Sequence, residues 1–282
     1  TETTVYLGGR TVRLIDLPGT YSISSHDISE KVTRDFLLAG NVHVIINVLD
    51  TALLSRSLEL TIQLMEMRVP MVMALNMFDE ALEKGLEIDL ARLNTLTGLE
   101  ATPVVAVKGS GVRELFETAV RVARSTFNPV TPVYDRDVEE CIAGIAERYP
   151  AALRARLAMD ARFVIIRLLE MDEEFERTVG AVDEAFLRFV VEERRRLAEM
   201  HNWPEAGVFA SHRHAIVFDL FEQVAKVIPR AGGSLKERID NFIIHPLGGF
   251  IGFLFLLVLM FYASFGLSDI LSVLIQGPLD VL

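Results

Sequence analysis

Hydrophobic positions follow two rhythms along the chain, and the change of rhythm divides it. The first half alternates short, continuous apolar runs with segments of helical spacing. "VHVIINVLD" (42–50), "PMVMALNMFDE" (70–80) and "TPVVAVKGSG" (102–111) are β-branched or apolar runs too short for helices, and each ends in polar or glycine residues. Before, between and after them "SEKVTRDFLLAG" (29–40), "SLELTIQLMEM" (57–67), "DLARLNTLTG" (89–98) and "VRELFETAVRVARS" (112–125) repeat apolar residues at helical intervals. Continuous strands separated by helices predict a mostly parallel α/β sheet covered on both faces. The opening "TETTVYLGGRTVRLIDL" predicts two strands around Gly8-Gly9.

"NPVTPVYD" (128–135) reads as a linker. From Arg136 to Arg230 the strand signal fades into long 3.6-period segments, among them "VEECIAGIAERY", "ARFVIIRLLEMDEEFERTV" and "HAIVFDLFEQVAKVI". They predict an all-α domain. Between Pro246 and Ser268 no side chain is charged. The 19 residues from Leu247 to Phe265 make roughly 28 Å of helix, close to the ~30 Å hydrocarbon core of a bilayer. Lys236 and Arg238 precede the span and no Lys or Arg follows, so the preceding domains are expected on the cytoplasmic side. "SDILSVLIQGPLDVL" (268–282) is interrupted by Asp269, Gly277-Pro278 and Asp280 and reads as an interfacial or periplasmic-side helix. The predicted boundaries are 1–127, 128–235 and 236–282, with the span at about 246–266.

Composition narrows the function classes. A net charge of −11 and a pI near 5.1 argue against a broad nucleic-acid-binding surface. One cysteine, Cys141, excludes an intrachain disulfide framework, and its helical context reads as a small buried hydrophobe. The chain opens in mid-pattern without an initiator Met, which reads as a missing N-terminus.

The candidate chemistry lies at the predicted strand ends, where open α/β sheets bind ligands. "RLIDLPGTYS" ends an apolar run on Asp16 and turns at Pro18-Gly19. Ordinary turn chemistry accounts for the segment taken alone. In D-x-x-G, however, the acid can hold Mg²⁺, usually through water, and the glycine amide can approach a terminal phosphate. Asn76-Met77-Phe78-Asp79 places a carboxylate to accept from guanine N1–H and its exocyclic amine; adenine would leave it unpaired. Asn76 is expected to tie neighbouring loops. Ala106 with its following amides is expected to close over the base oxygen. In this order, at strand ends, the three segments predict a guanine-nucleotide site.

One part is missing from the pattern. No G-x-x-x-x-G-K-[ST] occurs, so the β-phosphate has no cradle in these residues. N-terminal truncation accounts for this, and the chain is expected to be inactive by itself. Thr20 stands where many GTPases carry a water-orienting Gln, so slow hydrolysis is expected even of the intact parent.

These residues resemble the bacterial ferrous iron transport protein B family. The similar stretches are "DLPGTYS" (16–22), "SEKVTRDFLLAG" (29–40), residues 44–81, "AVKGSGVREL" (106–115), "RFVIIRLLEMDEE" (162–174) and residues 237–267. The resemblance implies a P-loop-GTPase-like domain, incomplete here, then a helical domain thought to stabilise bound GDP, then a multi-span domain in the cytoplasmic membrane. It implies GTP/GDP and Mg²⁺ as cofactors and Fe²⁺ as the transported ion. Implied partners are membrane lipid and small cytoplasmic accessory proteins. Asp16-Leu17-Pro18-Gly19 would be the third guanine-nucleotide motif, Asn76-Met77-Phe78-Asp79 the fourth and Val105-Ala106-Val107 the fifth. Val105 replaces a commonly polar residue, and the first two motifs are absent. The alternative is a soluble GTPase switch acting on a protein or ribosome partner.

Other residues read as structural. His201, His212, His214 and His245 are expected to be surface or capping histidines, "EERRRLAEM" (192–200) a solvated helix face, and Trp203-Pro204 a helix-end anchor.

Overall fold

The computed structural model describes the chain except residues 8, 21, 24–27, 41, 126–129, 158, 203, 206, 229–234 and 277–282. The Gly8 half of the first turn, the start of the linker, Trp203 and Gly277-Pro278 therefore lie outside the described residues. Two units are described separately, Thr1–Ile228 and Pro229–Leu282.

In the first unit, β1 (Glu2–Leu7) and β2 (Arg10–Ile15) form an antiparallel hairpin. α1 (Ile28–Leu38), β3 (Ile45–Asp50), α2 (Leu54–Glu66), β4 (Met71–Asn76) and α3 (Phe78–Glu83) follow, then β5 (Leu86–Ile88), α4 (Leu90–Thr97), β6 (Glu100–Pro103) and α5 (Val112–Val122). The parallel sheet has the order β3-β4-β6. β4 is central because Met71 to Leu75 are all buried, which suits a strand covered on both faces. Leu54, Leu58 and Ile62 of α2 and Leu93 of α4 pack in the core containing Met71, Met73 and Leu75. Leu115, Ala119 and Val122 of α5 pack with Val72 and Ala74.

The helical region comprises α6 (Arg136–Glu147), α7 (Ala151–Arg156), α8 (Ala161–Leu169), α9 (Glu173–Gly180), α10 (Glu184–His201) and α11 (Gly207–Val224). α8 is buried almost all round, with Phe163 to Leu169 inaccessible, and forms the bundle's axis. α11 serves both halves: Phe209 packs in the bundle core, whereas Val217, Leu220 and Val224 join the sheet-side core.

Several expectations need correction. The opening hairpin is a two-stranded sheet of its own and does not extend the parallel sheet. β6 stops at Pro103, early in the 102–111 run, because the backbone turns back for a bridge between Val105 and Ser110. The run to Ile228 is not helical throughout: Ala225–Val227 forms β7, antiparallel to β5, after the helix ends at Val224. The predicted solvated face of α10 contains Arg194, which is buried against Glu176, Glu205 and the Leu168 carbonyl. His201 and His212 are partly buried, with ring centroids 5.2 Å apart, and meet Asp137 and Asp135. His214 is exposed beside Glu59. Cys141 is half-buried, and burial pushes its thiol up to about 11, as suits a packed sulfur.

The second unit contains α12 (Leu235–Ile244) and α13 (Pro246–Gln276). α13 includes the 20-residue apolar stretch Pro246–Phe265, which is almost wholly unburied. The same helix continues through Ser268 to Gln276, so residues 268–276 extend α13 instead of forming a separate helix.

Candidate functional site

The register of the parallel strands brings Asp50 beside Asn76 at their carboxyl ends. Here a cavity of about 430 Å³ is lined by Gly19, Thr20, Asn47, Val48, Leu49, Asp50, Arg56, Ser57, Leu60, Asn76 and Met77. Its size falls within the usual range for small-molecule pockets. Gly19 and Thr20 reach it from the turn after β2, whereas Asn76 and Met77 come from β4. Residues remote in sequence thus converge.

Asn76 organises the neighbouring loops. Its Oδ1 accepts from the Ala106 amide at 3.1 Å, and its carbonyl accepts from Thr51 Oγ1 at 2.5 Å. The expected loop-tying contact is therefore present. Met77 follows with φ of +56°, a left-handed conformation uncommon outside glycine, and stays exposed. That turn starts α3 at Phe78, whose amide donates to the Val104 carbonyl at 3.3 Å. Asp79 stands in the first turn of α3. Its Oδ1 accepts from the Glu80 amide at 3.1 Å, and its Oδ2 accepts from Lys108 Nζ at 2.6 Å. The Lys108 hydrogen bond holds the Asp79 carboxyl below its ordinary range, and the same contact raises Lys108.

Lys108 belongs to the short 3₁₀ turn Ala106–Lys108. Val107 is 95% exposed, so this turn is open to solvent. Gly111 fixes its exit: with φ of +76°, a Cβ there would sit 2.1 Å from the Pro103 carbonyl oxygen.

The D-x-x-G segment is held by its own contacts. Asp16 is exposed after β2, and its amide donates to the Thr1 carbonyl at 2.7 Å. Leu17 packs on the sheet-side core. The Pro18 carbonyl accepts from Thr33 Oγ1 on α1 at 3.1 Å. A Cβ on Gly19 would meet nothing within 4 Å, so its backbone is open to a ligand. Gln63 of α2 accepts from the Ile23 amide at 2.8 Å and anchors the segment that follows. Arg34, next to Thr33, is fully buried and pairs with Asp172 at 3.1 Å and with Glu174. The helix after the D-x-x-G turn therefore touches the turn on one side and the helical region on the other.

The cavity gathers Gly19, Asn76 and Met77. Asp16, Leu17, Pro18, Phe78, Asp79, Val105, Ala106 and Val107 are not among its lining residues. Asp50, Arg56 and Ser57 line it without having been singled out in the sequence. Asp50 was within reach, since it closes an apolar strand just as Asp16 does; its Oδ1 accepts from the Ala52 amide at 2.9 Å. Among the described residues no group of three or more His, Cys, Asp or Glu is arranged to hold a metal ion.

Comparison with known proteins supplies the lineage. Residues 1–119 match the family profile described as ferrous iron transport protein B, and 134–226 match the FeoB cytosolic helical domain. An Fe(2+) transport protein A/FeoB fusion protein of Porphyromonas gingivalis is 30% identical over 93% of this chain and 32% of its own length. The Fe(2+) transporter FeoB of Salmonella typhimurium is 27% identical over 94% of this chain and 34% of its own length. The chain thus spans about a third of the curated relatives it matches. Among solved structures, the mGMPPNP-bound NFeoB of S. thermophilus is 28% identical, covering 82% of this chain and 86% of that one, with a TM-score of 0.68. The apo cytosolic domain of the T. maritima FeoB iron transporter gives 26%, 80%, 84% and 0.65. With two profiles of one family matched in chain order and relatives aligned across nearly its whole length, this chain belongs to the ferrous iron transport protein B family.

Proposed function

We propose that residues 1–127 form part of a guanine-nucleotide-binding domain, that 128–235 form the helical domain coupled to it, and that 236–282 begin a membrane transport domain. The observation that carries the reading is the cavity in which Gly19 and Thr20 meet Asn76 and Met77 at the carboxyl ends of parallel strands. Gly19 offers its amide to phosphate, Asp79 reads the guanine edge, and Asn76 positions the Val105-Ala106-Val107 loop that closes on the base. Asp16, exposed and near Gly19 in sequence, fits a Mg²⁺ held largely by water and phosphate oxygens. The metal supplies charge neutralisation of the phosphates. Thr20 stands in the place of a water-orienting side chain, so hydrolysis is slow.

The intact protein uses this nucleotide-responsive unit to regulate Fe²⁺ import through the cytoplasmic membrane, with small cytoplasmic accessory proteins as partners. Pro246–Phe265 crosses the bilayer and the preceding domains face the cytoplasm. The soluble-switch alternative is not favoured, because the relatives are transporters and α13 carries an exposed apolar stretch of spanning length.

The test is nucleotide discrimination in the intact protein, with fluorescent GDP and ADP analogues. Guanine should be preferred by about 100-fold or more, and Asp79→Ala should abolish the preference. Equal affinities in the parent, or an unchanged preference in Asp79→Ala, would overturn the assignment.

A further inference from the structure

α12 presents an apolar stripe beside the start of α13. Ile239, Phe242 and Ile243 recur at i, i+3 and i+4, and are 50%, 53% and 60% exposed; Asp240, between them, is exposed as well. Ile244, the last residue of α12, is 79% exposed.

The joint between the two helices is tight. A Cβ on Gly248 would lie 2.4 Å from the Phe242 carbonyl oxygen, and one on Gly249 would lie 2.3 Å from that of Ile243. A Cβ on Gly252 would touch the Phe242 ring at 3.6 Å. His245 caps the corner: its Nδ1 accepts from the Gly248 amide at 3.3 Å, and its carbonyl accepts from the Gly249 amide at 2.7 Å. α12 is therefore seated on the first turns of α13, and the depth of one sets the depth of the other. A ten-residue helix is marginal by itself in water, so α12 needs both this joint and a cover for its apolar stripe.

We propose that α12 is an interfacial helix, lying along the cytoplasmic headgroup–acyl boundary with Ile239 and Ile243 in lipid. The inference rests on reading α13 as a membrane span. The occupant follows from continuity: the exposed apolar surface of α13 begins at Leu247, immediately after the corner, and that surface requires hydrocarbon. Charge sharpens the claim. Lys236 and Arg238 are balanced in sequence by Glu237 and Asp240, so α12 is neutral. Its attachment is by apolar insertion and not by attraction to anionic headgroups.

The experiment places single cysteines at Ile239, Asp240, Ile243 and Leu256 in a Cys141→Ser background of the full chain. Each is labelled with an environment-sensitive fluorophore and reconstituted into phosphatidylcholine vesicles, with and without phosphatidylglycerol. Lipids carrying a nitroxide at a shallow position should remove most of the emission at 239 and 243 and leave that at 240. A deep nitroxide should quench 256. None of this should change with phosphatidylglycerol or salt. If 256 is quenched but 239 and 243 respond like 240, or are shielded from water without lipid quenching, α12 is solvated or covered by protein and the inference fails alone. If 256 is not quenched, the span reading fails and takes this inference with it. Quenching at 239 and 243 only with phosphatidylglycerol overturns insertion by apolar contact.

Discussion

Glu66 ends α2 and Asp79 begins α3, and each carboxylate meets basic side chains, but only one of them meets water. Glu66 is sealed. Its Oε1 accepts from Arg213 Nε at 2.8 Å and from the Tyr134 hydroxyl, while Oε2 accepts from Arg167 and Arg213, both at 3.0 Å. All four side chains are buried. Burial, then the Glu66 charge, pushes the Tyr134 phenol far above its ordinary range, so it remains a donor at every physiological pH. Asp79 has one salt-bridge partner, Lys108, at the open rim of a loop. The first cluster joins α2 to α8 and α11 and cannot exchange partners without exposing charge to a dry interior. The second can release its carboxylate to a ligand at little cost. Similar ion pairs thus serve cohesion in one place and availability in the other.

Breaking the sealed cluster should give the largest effect. Glu66→Ala removes one of the two carboxylates, Glu66 and Glu170, that pair with both Arg167 and Arg213, and should destabilise the fold by about 3–5 kcal/mol. Chemical denaturation of the intact protein, compared with the Glu66→Gln variant, measures it. A loss no greater than that of an exposed pair would erase the distinction. Gly111→Ala comes next, because it disturbs the loop carrying Lys108 through its backbone. The new Cβ meets the Pro103 carbonyl at 2.1 Å in a left-handed conformation, and the strain should cost about 1–3 kcal/mol. Thermal denaturation checks the size, and faster proteolysis within 104–111 checks the location.

The two clusters also differ in how far the sequence announces them. Asp79 and Gly19 were legible because turn chemistry and strand ends are local: an apolar run closes and a polar residue follows within the same segment. The three parallel strands were legible for the same reason, Met71 to Leu75 being apolar without interruption. Glu66, Arg167, Arg213 and the buried Arg194 were not, since a charge in a helical repeat reads as solvated until its partner arrives from another element. β5 and β7 escaped notice because three residues carry no periodicity, and their pairing joins segments far apart in the chain. The detached hairpin shows the converse error. Asp16 was placed correctly at a strand end, but the strand pairs outside the sheet that was expected to deliver it.

Lys108→Ala is the smallest change to the fold and the sharpest test of availability. The pair is exposed, and solvent screens it, so the melting temperature should not shift measurably. The effect should fall on ligand recognition and its pH dependence. Lys108 lowers the Asp79 pKa below its ordinary value of 3.8, so the carboxylate stays ionised further into acid than a free aspartate does. Removing the ammonium returns Asp79 towards that value. The acid limb of guanine-analogue binding should therefore move to higher pH in Lys108→Ala, and Lys108→Arg should restore it. An unmoved limb, with carboxylate NMR showing Asp79 titrating as before, would mean that Lys108 does not govern the ionisation of Asp79.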